Sequence, residues 1–145
     1  MSVPAAPGLP RLLELGELER LMQGRKRIYV RYSEGPEHDE HERSIDAESG
    51  LELPGLSVNP LDPQRWWKRP LAEWLARQIS QYRHLAERNP DRFAWVLSGR
   101  EVGRGPDCEP LVADVVPLAR LGTTLLDEAL DLYQERFDAG RGPED

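Results

Sequence analysis

Two neighbouring stretches of β-forming residues constrain the fold of this chain more than any other feature. Residues 93–102 and 111–118 are rich in valine, leucine and aromatic side chains, with eight residues, 103–110, between them. Two such stretches in direct succession predict an antiparallel hairpin, here with a long and stiff loop. The fold class has to accommodate that hairpin.

Apolar residues at helical spacing predict three helices, over residues 11–23, 70–88 and 124–137. Gly16 is expected to break or bend the first helix, and Gly24 to cap it. The third helix starts with a sequence that resembles a capping box.

Alternating residues over 27–33 predict a strand. One face is expected to carry Ile28, Val30 and Tyr32, and the other Tyr29, Arg31 and Ser33. A second short strand is predicted within residues 51–58, interrupted by Pro54 and Gly55. Asp62 and Pro63 are expected to open a helical turn over residues 64–68.

The elements follow one another without a βαβ rhythm or an internal repeat, which favours the α+β class. We expect a small antiparallel sheet of about three to five strands, which includes the C-terminal hairpin, packed with two main helices and a short N-terminal helix. A length of 145 residues fits one domain. We place it at residues 11–138, between flexible termini at 1–10 and 139–145.

Several classes of protein are excluded or disfavoured. No apolar run approaches the roughly 18 residues of a membrane span, and the N-terminus lacks the pattern of a secretory signal. Cys108 is the single cysteine, so an internal disulfide framework and a cysteine-based zinc site are excluded. We therefore expect a cytoplasmic protein.

The formal net charge of −7 is unevenly distributed along the chain. Net charges of +3, −7, +4 and −7 fall on residues 1–33, 34–60, 61–106 and 107–145. An acidic total argues against general nucleic-acid binding, which needs a basic face. The acidic residues 34–50 are predicted to form a loop.

Two segments offer polar residues at strand positions. Arg31 and Ser33 end the predicted strand beside the acidic loop, where ligand sites are common. The alternative is an exposed arginine paired with a nearby carboxylate. Ser57 and Asn59 have the same parity in an extended chain, so both can point at one ligand. The alternative there is a structural turn.

Trp66 and Trp67 are adjacent, so they cannot both face the core from one short helix. One of them is expected at the surface or in a cleft, beside basic residues. Such a pair is a stacking platform in single-strand nucleic-acid binders and equally a membrane-surface or partner patch. Packing as a lid is the plain alternative.

The predicted hairpin loop, residues 103–110, is a further candidate site. Arg104, Asp107 and Glu109 can converge there on a ligand, and Glu109 stands where a catalytic carboxylate would serve. The loop glycines also suggest a phosphate cradle, although no Lys or Ser/Thr completes a P-loop. His38 and His41 form an H-x-x-H run without a fourth ordered ligand, so no physiological metal is expected.

Three segments, RIYVRYSEGP (27–36), SIDAESGLELPGLSVNPL (44–61) and WVLSGREVGRGPDCEPLV (95–112), resemble an uncharacterised actinobacterial family of unknown function. The resemblance covers about residues 27–137. It implies a compact, arginine-rich, cytoplasmic domain and no particular activity.

The order Arg31, Ser57, Glu109 is also similar to that of small ADP-ribosyltransferases, which carry an arginine, a serine and a glutamate on successive strands. That resemblance implies NAD as cofactor. The arginine would position the NAD phosphates, the serine would brace the site, and the glutamate would stabilise an oxocarbenium-like transition state. The Ser-Thr-Ser run is missing, and Asp107 stands where the family has a second Glu or Gln.

Two functions remain open. One is a module that binds a small molecule or another protein without a cofactor, with self-association also possible. Its ligand-binding candidates are Arg31, Ser33, Ser57, Asn59, Trp66, Trp67, Arg104 and Asp107. The other is an NAD-using enzyme with Arg31, Ser57 and Glu109 in one cleft.

Overall fold

A curled sheet with four of the five helices packed on one face makes up the described part of the chain. The computed structural model describes residues 8–41, 44–46 and 48–137. The elements in chain order are β1 (Arg11–Leu12), α1 (Leu15–Met22), β2 (Ile28–Ser33), α2 (Pro36–His41), β3 (Leu56–Ser57), β4 (Asn59–Pro60), α3 (Leu71–Ile79), α4 (Gln81–Arg88), β5 (Phe93–Arg104), β6 (Pro110–Leu121) and α5 (Thr123–Phe137).

The strands lie in the order β1-β6-β5-β2-β4, and β3 also pairs with β6. All pairs are antiparallel except β1 with β6, so the sheet is mixed where a purely antiparallel one was expected. The α+β class is confirmed. Residues 56–60 run from β6 to β2, with Val58 between the two short strands, and this bridge curls the sheet towards closure.

The predicted hairpin is confirmed, and its strands are longer than expected. β5 extends to Arg104 and β6 begins at Pro110 and ends at Leu121, so the loop shrinks from eight residues to residues 105–109. Three register shifts interrupt the pairing of β5 with β6. Irregularities of this kind increase the local twist of a strand pair, which suits the curl of the sheet.

The two faces of the sheet carry separate apolar clusters, because side chains alternate along each strand. The face towards the helices is the larger core; Ile28, Val30, Ala94, Val96 and Ala119 lie there with side chains from α1, α3, α4 and α5. The opposite face carries Tyr29, Val58, Trp95, Leu97 and Val112. The predicted division of β2 is confirmed, and Arg31 and Ser33 therefore lie away from the main helices.

The predicted first helix begins later than expected. Residues 11 and 12 form β1, because the Arg120 amide donates to the Pro10 carbonyl and the Gly122 amide donates to the Leu12 carbonyl. α1 then starts where the Glu17 carboxylate accepts hydrogen bonds from the Leu13 and Glu14 amides. These long-range partners override the helical spacing of residues 11–14.

Gly16 does not break α1; it lies in the first turn of that helix. Gly24 has a φ of 72°, the left-handed conformation expected of a glycine that follows a helix.

The predicted long helix, residues 70–88, is divided into α3 and α4 at Ser80. The Arg83 amide donates to the Ser80 carbonyl three residues back, a tighter bond than the α-helical one, and this local tightening separates the two helices. α5 begins at Thr123, and the Thr124 hydroxyl donates to the Leu13 carbonyl instead of capping its own helix.

Two expectations for the acidic and linking segments are corrected. Residues 36–41, predicted as loop, form the short helix α2. Residues 64–68 form a turn but no helix. The Trp67 amide donates a hydrogen bond to the Gln64 carbonyl and so closes the turn. Asp62, the expected helix cap, instead accepts hydrogen bonds from the Arg27 and Ile28 amides and so anchors the start of β2.

The expected flexible termini, 1–10 and 139–145, lie outside the described residues except for Gly8, Leu9 and Pro10. Among the residues that are described, no helix combines the length and apolar character needed to cross a membrane.

Candidate functional site

Arg31 and Asp39 form an ion pair on the face of the sheet opposite the main helices. Arg31 lies on β2 and Asp39 on α2, and their Nε and Oδ2 atoms are 2.7 Å apart. The same Oδ2 accepts the Ser33 hydroxyl at 2.5 Å. The Asp39 side chain is only 5% exposed. Asp39 therefore ties α2 to the end of β2, which explains why this acidic segment is helical.

The Ser33 hydroxyl takes part in three hydrogen bonds. Besides donating to Asp39, its hydroxyl oxygen accepts the Gly35 amide at 3.1 Å and the Trp95 indole N–H at 3.0 Å. Ser33 thus connects β2, the turn before α2 and the central strand β5.

The structure brings Arg31, Ser57 and Glu109 together. Arg31 Nη1 donates to the Ser57 carbonyl at 2.7 Å, and the Ser57 hydroxyl donates to Glu109 Oε2 at 2.7 Å. We call these residues, with Ser33 and Asp39, the Arg31 cluster. Its bonds join β2, α2, β3 and the hairpin loop.

Glu109 is held as a carboxylate within the loop. Its second oxygen, Oε1, accepts the Asp107 amide at 3.0 Å. A Cβ atom at residue 105 would overlap this carboxylate, so the glycine there permits the close approach. Burial raises the pKa of Glu109, but the hydrogen bonds from the Ser57 hydroxyl and from backbone amides outweigh it, and the net pKa lies below the usual value.

We expect Ser57→Ala to raise the pKa of Glu109, because the substitution removes a donor to its charged form. A pH titration of the Glu109 carboxyl carbon by NMR measures the change. A carboxylate with a lowered pKa stabilises the fold above its unfolded-state pKa of about 4.3, and that contribution disappears as the pH falls through the folded-state pKa. The stability deficit of Ser57→Ala should therefore be present at neutral pH and shrink in acid.

Ser49→Ala is the matched control for that titration. It also removes a hydroxyl that donates to a carboxylate, but the carboxylate is that of Asp46. The pKa of Glu109 should not respond to it. An unchanged pKa of Glu109 in Ser57→Ala would show that the hydrogen bond does not form in solution.

A large cavity of about 880 Å³ opens beside the Arg31 cluster. The N-terminal segment, α2, β3 and the strands β5 and β6 form its walls. Its lining consists of Gly8, Leu9, Arg11, Glu34, Gly35, Pro36, Glu37, Asp39, Glu40, Leu56, Phe93, Trp95, Val115, Pro117 and Arg120. Of the Arg31 cluster, only Asp39 lines it; Arg31, Ser57 and Glu109 do not.

The apolar part of this cavity extends the cluster on the second face of the sheet. Trp95 is fully buried, whereas Leu9, Leu56, Phe93 and Val115 pack against that cluster and remain partly exposed. Apolar side chains that are left uncovered in a concave surface are typical of a ligand pocket.

The charged residues lie on different walls of the large cavity. Four carboxylates come from residues 34–40, and two guanidinium groups come from Arg11 on β1 and Arg120 on β6. The Arg120 guanidinium lies 4.1 Å from the centre of the Phe93 ring. Burial, and then the positive charge of Arg11, lower the pKa of Arg120. This end of the cavity therefore has excess positive charge.

The other predicted site residues lie elsewhere. Asn59 donates to the Tyr82 hydroxyl on α4, so it does not share a ligand position with Ser57. Ser57 belongs to β3, which pairs with β6, and Asn59 belongs to β4, which pairs with β2. Arg104 is paired with Glu101 and also donates to the Cys108 carbonyl. Arg104 therefore makes contacts within the hairpin.

The expectation for the tryptophan pair is met. Trp66 is 61% exposed, whereas Trp67 is partly buried and packs edge-to-face on Trp74. The Arg77 guanidinium lies 5.9 Å from the centre of the Trp66 ring. This exposed aromatic patch is not part of the large cavity.

Among the described residues, no group of three His, Cys, Asp or Glu side chains could hold a metal ion. His38 is paired with Glu34 at 3.0 Å. The side chain of His41, the other histidine of the H-x-x-H run, lies outside the description.

Sequence reasoning missed the residues that line the large cavity, above all Leu9, Phe93 and Arg120. One signal was present: Arg120 is an arginine between Ala119 and Leu121 in an apolar strand. A charged side chain at such a position has to reach solvent or a cavity, because an unpaired buried charge is costly.

Comparison with known proteins identifies a family for this chain but no individual relative. No curated protein and no solved structure matches the chain. A family model matches residues 5–143, nearly the whole sequence, and its description is a family of unknown function. The expected resemblance to an uncharacterised family is thereby confirmed. With that coverage, the chain belongs to the family of unknown function DUF6098.

Proposed function

We propose that this chain is a binding module for a small amphipathic molecule that carries an anionic group, and that the ligand occupies the large cavity. The observation that carries this proposal is a concave space of about 880 Å³ with a partly uncovered apolar floor. Ligand pockets commonly measure about 300–1,000 Å³ and combine apolar walls with a few polar groups.

The chemistry of the walls favours this class of ligand. Leu56, Phe93 and Val115 offer contact to an apolar or aromatic body. Arg11 and Arg120, at the positive end, suit a carboxylate, sulfonate or phosphate because a guanidinium fork binds such groups with two parallel hydrogen bonds. The carboxylates of α2 lie on another wall and repel anions, which favours one orientation of the ligand.

The Arg31 cluster supports a binding role better than a catalytic one. Both oxygens of Glu109 accept hydrogen bonds from the protein, and Arg31 is bonded to Asp39 and to the Ser57 carbonyl. Groups that are satisfied in this way position α2 and β3, which form walls of the cavity. A general base would instead need a free oxygen beside the substrate.

A fluorescent probe tests the proposal directly. We expect 8-anilinonaphthalene-1-sulfonate, an aromatic sulfonate, to bind the native protein saturably with increased fluorescence. Val115→Trp should abolish most of this signal because the indole occupies the space above the apolar floor, where the aromatic rings of the probe would lie. Val116→Trp is the matched control, since Val116 is 53% exposed and lies on the opposite side of the same strand. Equal binding by both variants, or no binding by the wild type, would refute the proposal.

The second candidate is an NAD-using enzyme similar to ADP-ribosyltransferases. One observation favours it: Ser57 is hydrogen-bonded to both Arg31 and Glu109. Against it, Arg31, Ser57 and Glu109 do not line the large cavity. NAD belongs in the same binding assay as a competitor of the probe. Displacement by NAD that Arg31→Ala abolishes would favour the enzyme over the binding module.

We also propose a cytoplasmic location. Cys108 is exposed and carries a free thiol, which a reducing compartment maintains.

A further inference from the structure

A small cavity of about 230 Å³ lies beside the large one, at the start of α5. The two cavities share Arg11, Phe93 and Arg120 in their linings. The small cavity is lined by Arg11, Tyr32, Ala86, Pro90, Arg92, Phe93, Ala94, Arg120, Leu121, Gly122, Thr123 and Leu126.

The lining of the small cavity carries three arginines and no carboxylate. Among the described residues, Arg11, Arg92 and Arg120 have no ion-pair partner. Other described arginines differ in this respect: Arg31, Arg69 and Arg83 each contact a carboxylate, whereas Arg65, Arg77 and Arg88 do not. In a protein with a net charge of −7, a cavity that gathers unpaired guanidinium groups is notable.

We infer that the small cavity binds a phosphoryl group, either as inorganic phosphate or as the head of a phosphate monoester. Arginines that line one small space repel one another, and a compact dianion among them removes that repulsion. Each guanidinium can also donate two hydrogen bonds to phosphate oxygens. The site shares Arg11 and Arg120 with the large cavity, but it requires no ligand there.

The remaining walls suit the same anion. Thr123 is the first residue of α5, a helix with no acidic side chain in its first turn. The amides of a first helical turn have no acceptors within their own helix and favour negative charge. Leu121 and Phe93 close the space on the apolar side, which reduces competition from water.

Phosphate titration at constant ionic strength tests this site. We expect inorganic phosphate at about ten times its Kd to raise the Tm by about 4 °C relative to chloride. Arg92→Met should lose most of that shift; its side chain is exposed, so the substitution should leave the fold intact. Arg120→Met should lose it as well. Arg65→Met removes the same charge far from the cavity and should keep the full shift.

Two further measurements locate the phosphate site on the protein. Backbone amide signals of Gly122 and Thr123 should move in NMR spectra as phosphate is added, with the same Kd. Val115→Trp, which places an indole over the apolar floor of the large cavity, should keep the phosphate response, so the two proposals can fail separately. An equal Tm rise in wild type and Arg92→Met, no rise at all, or a larger effect of acetate than of phosphate would overturn the inference.

Discussion

Asp39→Ala is expected to lower the free energy of unfolding by about 3 kcal/mol, one of the two largest losses we predict for a single substitution in this chain. The Asp39 carboxylate is 5% exposed and accepts hydrogen bonds from Arg31 and Ser33. Removing one partner of a mostly buried ion pair leaves the other charge uncompensated. The Arg31 side chain is 21% exposed, so water recovers part of the loss.

Urea unfolding of Asp39→Ala measures that change. Glu37→Ala is the matched control, because Glu37 is an exposed carboxylate of the same helix. Its replacement should alter the free energy of unfolding by less than about 0.5 kcal/mol. A loss below about 1 kcal/mol for Asp39→Ala would mean that the pair is solvated and that α2 is held by other contacts.

The same substitution should loosen α2. This helix has six residues, too few to be stable without tertiary contacts. Limited proteolysis should therefore cut Asp39→Ala within or near residues 36–41 sooner than it cuts Glu37→Ala. Because α2 forms a wall of the large cavity, probe affinity should also fall in Asp39→Ala.

Trp95→Ala is expected to cost about 4 kcal/mol. Trp95 is fully buried on the central strand β5, and it supports the apolar cluster that includes Tyr29, Val58 and Leu97. Loss of a large aromatic side chain from such a position combines lost burial with a residual cavity. The indole N–H also bonds to Ser33, which links the apolar cluster to the Arg31 cluster.

Trp95→Phe separates these contributions. It keeps an aromatic ring and removes the hydrogen bond to Ser33, so the free energy of unfolding should fall by about 1–2 kcal/mol. Denaturant unfolding, followed by far-ultraviolet circular dichroism, measures both variants. Equal losses in Trp95→Ala and Trp95→Phe would contradict the assignment of most of the effect to burial.

Local patterns predicted the sheet well. The alternating pattern of β2 predicted Ile28 and Val30 on one face and Tyr29 on the other, as found. Successive side chains of a strand point to opposite faces. The β5–β6 hairpin was also predictable, although its strands extend further than their apolar cores. Arg104 is charged and Pro110 has no backbone N–H, yet both join the ladder because backbone pairing continues until the loop closes.

Elements that depend on distant partners were not predictable. Residues 11 and 12 have helical spacing, yet they pair with the end of β6. Residues 36–41 resemble an acidic loop, yet the Asp39 carboxylate is buried in an ion pair with Arg31. Asp62 has the signature of a helix cap, yet it binds the amides that start β2. For β1 and for Asp62 a partner far away in sequence outweighs a local preference of a few tenths of a kcal/mol, and for Asp39 the ion pair with Arg31, eight residues earlier, has the same effect.

The candidate site shows the same division. The sequence singled out Arg31, Ser33, Ser57 and Glu109 as polar residues at strand and loop positions, and they prove to lie in one hydrogen-bonded cluster. The large and small cavities were not foreseen. They form between segments that are up to about a hundred residues apart, and Phe93 and Arg120 line both of them only because β5 and β6 pair.

By itself, the sequence determined the α+β class, the hairpin, the faces of β2 and the exposure of one tryptophan of the pair, because these follow from periodicity and residue type over a few neighbours. Tertiary structure alone decided where the charges meet. Asp39 is paired and buried, whereas Arg92 and Arg120, which line the small cavity, have no ion-pair partner among the described residues. Coulomb energies depend on the distance between the charges and on their burial, and the order of the residues specifies neither.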